Sequence, residues 1–157
     1  MALARDVMET AVVTVEQDTP LLSVYRLFYD EGISGVPVVD KDGQVVGVIS
    51  ATDLIRTVRE DHESHQTAAF YYRDARMDAR PDWLTEVEEF EDGLELRSVA
   101  DVMTAEVVAV TPEDPISVVA KKILDYRIHR VLVLDDQSAT NQLIGIISLF
   151  DLVRLLA

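Results

Sequence analysis

Residues 47–54, Gly-Val-Ile-Ser-Ala-Thr-Asp-Leu, and residues 145–152, Gly-Ile-Ile-Ser-Leu-Phe-Asp-Leu, write one junction twice. In each, a β-branched apolar run ends in Ser, and Asp follows three positions later. That is the pattern of a buried strand entering a helix. The hydroxyl accepts a free main-chain N–H at the helix start, and the carboxylate completes a capping box at the positive end of the helix.

The duplication extends outward from this junction. Asp6-Val7-Met8 lies over Asp101-Val102-Met103 and Pro20 over Pro115 at an offset of 95, which also places Ile33–Asp40 over Ile128–Asp135. The offset then becomes 98, because the second hairpin loop, DDQSATNQ, is three residues longer than the first. Such insertions belong in exposed loops. Each half carries the same succession of signals. A short strand comes first, Val12–Val15 or Val107–Val110. Pro20 and Pro115 then stand near the start of a helix. Apolar residues at helical spacing follow, Leu21, Leu22, Val24, Tyr25, Leu27 and Phe28 in one half, Ile116, Val119, Ala120, Ile123 and Leu124 in the other. Two strands come next, the first pair turning at Asp42-Gly43, a dipeptide suited to a tight hairpin. A second helix closes each half, near Thr52 and near Phe150. The pattern predicts an α/β (α+β) fold of two β-α-β-β-α repeats.

Residues 61–97 have no counterpart in the repeats and hold Phe70, Tyr71, Tyr72, Trp83 and Phe90, half of the ten aromatics, with an acidic run EVEEFED. The residues read as a helical connector that caps the core, or alternatively as a docking surface or lid.

A formal net charge of -15 repels phosphate backbones, and no Lys/Arg stripe offsets it, so nucleic-acid binding is not expected. The acidity fits solubility or a salty habitat equally well. With no cysteine, disulfides and thiolate metal sites are excluded. No segment approaches the roughly 18 to 20 apolar residues of a membrane span. The opening MALARDVMETAVVTV reads as the start of a domain rather than a leader, and a cytoplasmic protein is the expectation.

A β-α-β-β-α unit written twice, opening on D-V-M and closing on G-h-I-S-x-x-D-L, resembles a cystathionine β-synthase (CBS) domain pair, or Bateman module, of the stand-alone bacterial or archaeal type. The resemblance implies a first motif over residues 1–60, the insert over 61–97 and a second motif over 98–157, in a pseudo-twofold pair with two clefts. It further implies a homodimer and an adenosine ligand: AMP, ADP or ATP, with S-adenosylmethionine, NAD or a diadenosine polyphosphate as other members of the class. The regulated protein would be a separate, unknown partner.

In the family, the S/T-x-S/T-D carboxylate accepts hydrogen bonds from ribose hydroxyls. Ser50, Thr52 and Asp53 match that motif in full, whereas the second copy keeps Ser148 and Asp151 but has Phe150 in place of Thr52. An I-H-R sequence reaches phosphates in the family, and here the second half has His129 and Arg130 where the first has Ser34 and Gly35. Because phosphate groups come from the half opposite the ribose carboxylate, the resemblance joins Asp53 with His129 and Arg130, and rests adenine on Val107 and Val108 with main-chain groups reading its edge. The other cleft, with Val12, Val13, Ser34, Gly35, Ser148 and Asp151, would be weaker. An ordinary helix cap for Asp53, a surface imidazole for His129 and an ion pair for Arg130 are the plainer readings.

Catalysis is not expected, since there is no phosphate-cradling glycine loop and no nucleophile elbow. His62 and His65 share a helical spacing without a third ligand, so no metal site is expected either. The rival to a nucleotide sensor is a ligand-free dimerisation or interaction scaffold whose clefts are closed by side chains.

Overall fold

The computed structural model describes residues 1–59, 72, 97–135 and 141–157. In chain order the elements are α1 (Ala4–Val7), β1 (Val15–Glu16), α2 (Leu21–Glu31), β2 (Gly35–Val39), β3 (Val45–Ser50) and α3 (Ala51–Arg59). The second half repeats them as α4 (Val99–Val102), β4 (Ala109–Val110), α5 (Ile116–Tyr126), β5 (Arg130–Asp135), β6 (Gln142–Ser148) and α6 (Leu149–Arg154). Each half is a three-stranded sheet in which the first strand runs parallel to the second and the second antiparallel to the third. Even the irregularities coincide: the register shifts between Val38 and Val39 and, at the same place in the repeat, between Val133 and Leu134. The duplicated α/β architecture expected from the sequence is therefore present.

The opening strands are shorter than their apolar runs suggest. Only Val15–Glu16 and Ala109–Val110 pair as strands, whereas Val12–Val15 and Val107–Val110 were expected. Periodicity reports which side chains are apolar, but a strand also needs main-chain partners.

Pro20 and Pro115 sit at the N-caps of α2 and α5, with extended backbone. The fixed φ of proline suits that position and its missing N–H costs nothing there. Both helices end on a left-handed residue, Gly32 at φ 67° in one and Arg127 at φ 54° in the other. The apolar face of α2 is buried through Leu21, Leu22, Val24, Tyr25 and Phe28. In α5, Val119 and Ile123 are buried, but Leu124, expected on the same face, is 74% exposed.

The halves exchange their leading segments. The Ala4 N–H donates to the Asp114 carbonyl at 2.8 Å and the Ile116 N–H to the Ala2 carbonyl at 3.1 Å, so α1 belongs to the core of the second half. Reciprocally, the Val99 N–H donates to the Thr19 carbonyl at 2.9 Å and the Ala100 N–H to the Gln17 carbonyl at 2.8 Å, which sets Val99 and Val102 of α4 in the core of the first half. Past α1, Glu9 exchanges both main-chain hydrogen bonds with Ile146 of β6, at 2.8 and 3.0 Å. Past α4, Thr104 does the same with Val48 of β3, at 2.8 and 2.9 Å. Glycine makes this approach possible. A Cβ on Gly47 would run into the Thr104 carbonyl oxygen, and one on Gly145 would lie 2.7 Å from Met8 Sδ.

Candidate functional site: the strand-to-helix junctions

At the first junction the Ser50 N–H donates to Asp53 Oδ2 at 2.8 Å, and the Ser50 hydroxyl lies 3.4 Å from the same oxygen. Asp53 Oδ1 faces Arg56 Nη2 at 3.1 Å, and that nitrogen also donates to the Val102 carbonyl of α4 at 3.0 Å. The Ala51 N–H donates to the Ser34 carbonyl at 2.8 Å, so the start of β2 closes the junction from the side. Ser34, Ser50 and Asp53 are all buried, and Thr52 is half-buried.

The second junction has the same bonds. The Ser148 N–H donates to Asp151 Oδ2 at 2.8 Å, the Ser148 hydroxyl sits 3.1 Å from that oxygen, and Arg154 Nη1 lies 3.1 Å from Asp151 Oδ1. Here the Leu149 N–H donates to the His129 carbonyl at 2.8 Å. The Ser–Asp–Arg contacts of the cap are thus the same with Thr52 or Phe150 inside it, and at the second junction the Asp151 N–H also donates to the Ser148 hydroxyl at 3.3 Å. The halves differ in burial instead: the Asp53 and Arg56 side chains are 1% and 13% exposed, those of Asp151 and Arg154 13% and 78%. The arginine at the third position past each Asp is legible in the paired stretches TDLIR and FDLVR, and motif matching alone passed over it.

The capping chemistry recurs at the heads of both halves. Asp6 accepts the Leu3 N–H at 2.8 Å and Asp101 the Ser98 N–H at 2.9 Å. The hydrogen bonds from the Ser98 main chain and then its hydroxyl hold the Asp101 carboxyl below the ordinary aspartate value; desolvation opposes them, and the charge of Arg97 adds a lesser lowering effect. A capping Asp is therefore the local rule in this fold, and ligand chemistry needs something beyond it.

Val107 and Val108 supply a second setting. Both are half-buried and precede β4. The Val108 carbonyl accepts the Leu132 N–H at 3.1 Å, whereas its N–H turns to a side chain, the Tyr72 hydroxyl, at 3.1 Å. That hydroxyl in turn donates to the Glu106 carbonyl at 3.2 Å. The Tyr72 carbonyl accepts the His129 N–H at 2.6 Å. Tyr72 thus joins the residues expected at adenine to one expected at phosphate. Sequence reasoning noted Tyr72 only within an aromatic cluster and gave it no role. Arg130 opens β5, in register with Ser148, as Gly35 opens β2 in register with Ser50. His129 Nδ1 is buried and has no hydrogen-bond partner among the described residues.

Of the residues expected in the second cleft, Val12 lines a cavity of about 240 Å³ with Thr10, Thr14, Val39, Gly43, Gln142, Leu143 and Ile144, and Val13 is exposed. Gly35 and Ser148 lie instead at the junction ends of β2 and β6, with Ser34 just before β2 and Asp151 in the first turn of α6. Among the described residues no group of three or more His, Cys, Asp or Glu could hold a metal ion, and no helix is long and apolar enough to cross a membrane. His62, His65, the EVEEFED run and most of the 135–142 loop lie outside the described residues.

Two repeats that share their cores by exchanging leading segments, each closed by a Ser-x-x-Asp junction, define a tandem α/β domain pair. The family model described as CBS domain matches residues 4–60 and 99–157, and the chain belongs to that family. It is 34% identical over 98% of its length to an uncharacterised protein of Methanocaldococcus jannaschii, of which it covers 90%. Among solved structures it is similar to the CBS domain of a CBS domain-containing membrane protein from Sphaerobacter thermophilus, at a TM-score of 0.68 and 28% identity, covering 100% of this chain and 89% of that one. It shares the fold of CBSX2, solved in complex with AMP, at a TM-score of 0.66 and 21% identity over 99% of this chain and 96% of that one. Longer relatives also match, including an enzyme of which the chain spans only 23%. CBS domain pairs are regulatory rather than catalytic modules.

Proposed function

We propose that this chain is an adenosine-nucleotide-binding regulatory module, a sensor of energy or metabolite state that acts on a separate partner protein as a homodimer. Its better site comprises Ser50, Thr52 and Asp53 at the ribose, Val107 and Val108 at the adenine, and His129 and Arg130 at the phosphates of AMP, ADP or ATP. The observation that carries this reading is the Val108 N–H and Glu106 carbonyl, a donor and an acceptor aimed at one polar group in a largely apolar surrounding. Such a pair reads the edge of a base. The similarity to a fold solved with AMP supports the ligand class. Arg130 offers a planar fork to phosphate in a chain whose charge of -15 otherwise repels it.

Calorimetric titration of AMP, ADP and ATP into the wild type, Asp53→Asn and Asp151→Asn tests the assignment. The expected result is one dominant site lost in Asp53→Asn and kept in Asp151→Asn; the reverse pattern moves the phosphate-bearing ligand to the other cleft. A ligand at 100 times its dissociation constant should also stabilise the fold by about 2.7 kcal/mol.

The ligand-free dimerisation scaffold has its own supporting observation. The Asp53 side chain is 1% exposed and both of its oxygens already have partners in Ser50 and Arg56. Thermal silence with AMP, ADP, ATP, S-adenosylmethionine and NAD would favour that reading.

A further inference from the structure

Tyr72 is an aromatic ring, 2% exposed, whose one polar group makes two hydrogen bonds of opposite sense. Its hydroxyl accepts from the Val108 N–H at 3.1 Å and donates to the Glu106 carbonyl at 3.2 Å. The Watson–Crick edge of adenine carries the same pair, an acceptor at N1 beside a donor at the 6-amino group. The ring packs in the cluster that contains Val110, Ile128 and Val131, as the flat face of a base would. The main-chain carbonyl of the same residue holds the His129 N–H at 2.6 Å.

We propose that Tyr72 is a built-in occupant of the adenine subsite, satisfying the base-reading main chain until a nucleotide displaces it. The inference rests on the nucleotide-binding reading above and adds a competition to it. Val108 is half-buried and Glu106 exposed, and in the ligand-free chain the Tyr72 hydroxyl satisfies the main-chain N–H of the one and the carbonyl of the other. An entering adenine replaces both hydrogen bonds rather than adding new ones, and its apparent affinity is reduced by the fraction of molecules in which Tyr72 is out. The Tyr72 carbonyl holds the His129 N–H, so the exchange couples occupancy of the cleft to the start of β5. The competition acts on one cleft, because Val13, the counterpart of Val108, is exposed.

The test titrates AMP into the wild type, Tyr72→Phe, Tyr72→Leu and Asp53→Asn, with thermal melts to verify folding. Tyr72→Phe keeps the packing and removes only the competing hydroxyl, so AMP should bind a few-fold more tightly; Tyr72→Leu vacates the ring position and should gain on the order of tenfold. Hydrogen exchange adds a readout that a purely structural tyrosine would not move: AMP should speed exchange at the His129 amide, which the Tyr72 carbonyl holds, in the wild type. If both Tyr72 variants fold and bind AMP no more tightly than the wild type, while Asp53→Asn loses binding, the competition is overturned and the nucleotide site stands. If no form binds AMP, the nucleotide reading fails and the competition goes with it. Should Tyr72→Leu not fold, the Tyr72→Phe comparison and the exchange measurement decide between the same outcomes.

Discussion

Arg56 Nη2 bridges Asp53 Oδ1, at 3.1 Å, and the Val102 carbonyl, at 3.0 Å, so the carboxylate that begins α3 is tied to the helix contributed by the other repeat. Arg154 makes the same 3.1 Å contact to Asp151 but is 78% exposed, against 13% for Arg56. Equal geometry in unequal surroundings predicts unequal cost. Asp53→Asn leaves a largely buried guanidinium without its counter-charge and should cost about 2–3 kcal/mol. Asp151→Asn removes a solvent-screened pair and should cost about 1 kcal/mol or less. Urea unfolding of the two variants measures the difference, and equal midpoints would contradict the part assigned to burial.

The exchange of leading segments predicts two glycine effects of different size. A Cβ at Gly47 meets the main-chain carbonyl of Thr104, which accepts the Val48 N–H while the Thr104 N–H donates to the Val48 carbonyl. A Cβ at Gly145 meets chiefly Met8 Sδ, at 2.7 Å, and Cγ, at 2.9 Å, a flexible side chain that can swing aside. Gly47→Ala should destabilise by about 2–3 kcal/mol and Gly145→Ala by roughly 1 kcal/mol, within the range for overpacking. Thermal or urea denaturation gives the order, and a Gly145→Ala cost above that of Gly47→Ala would count against it.

These two sets of residues also mark how far the sequence could be read. The repeat, the helices and the Ser50 and Asp53 junction were legible because each leaves a local signal: a fixed offset, a 3.6-residue period, a cap three positions from its carboxylate. The exchange of α1 and α4 was not legible, since Ala4 meets Asp114 and Val99 meets Thr19 across most of the chain, and the repeat pattern is the same whichever core a leading helix joins. The run Val107–Val110 read as a strand because all four side chains are apolar, yet the Val108 N–H bonds to the Tyr72 hydroxyl. No periodicity records that partner.

Acid should find the Asp101 cap. The Ser98 main-chain and hydroxyl hydrogen bonds lower its folded-state pKa, so its contribution is fully present above the unfolded value of about 3.9 and is lost as pH falls through the lower folded value. Asp101→Asn should therefore melt at a lower temperature than the wild type at neutral pH. The gap should close as the pH is taken below the ordinary aspartate range. A gap that persists unchanged in acid would show that the asparagine disturbs packing rather than the charged hydrogen bonds.

The outer face of the second half predicts the assembly. Phe150, Val153 and Leu149 on α6 are exposed, Phe150 to 64%, and α6 packs against α5, which exposes Val118 and Leu124. A cluster of large apolar side chains on adjoining helices is the kind of surface that a second copy covers, and the homodimer proposed for this chain has such a face available. Since these side chains contribute little to the monomer's core, Phe150→Asp together with Val153→Asp should leave the unfolding free energy of the isolated chain within about 0.5 kcal/mol. The wild type should sediment at twice the chain mass and the double variant as a monomer. A wild type that sediments as a monomer at high concentration, or a double variant that stays dimeric, would place the interface elsewhere or remove it.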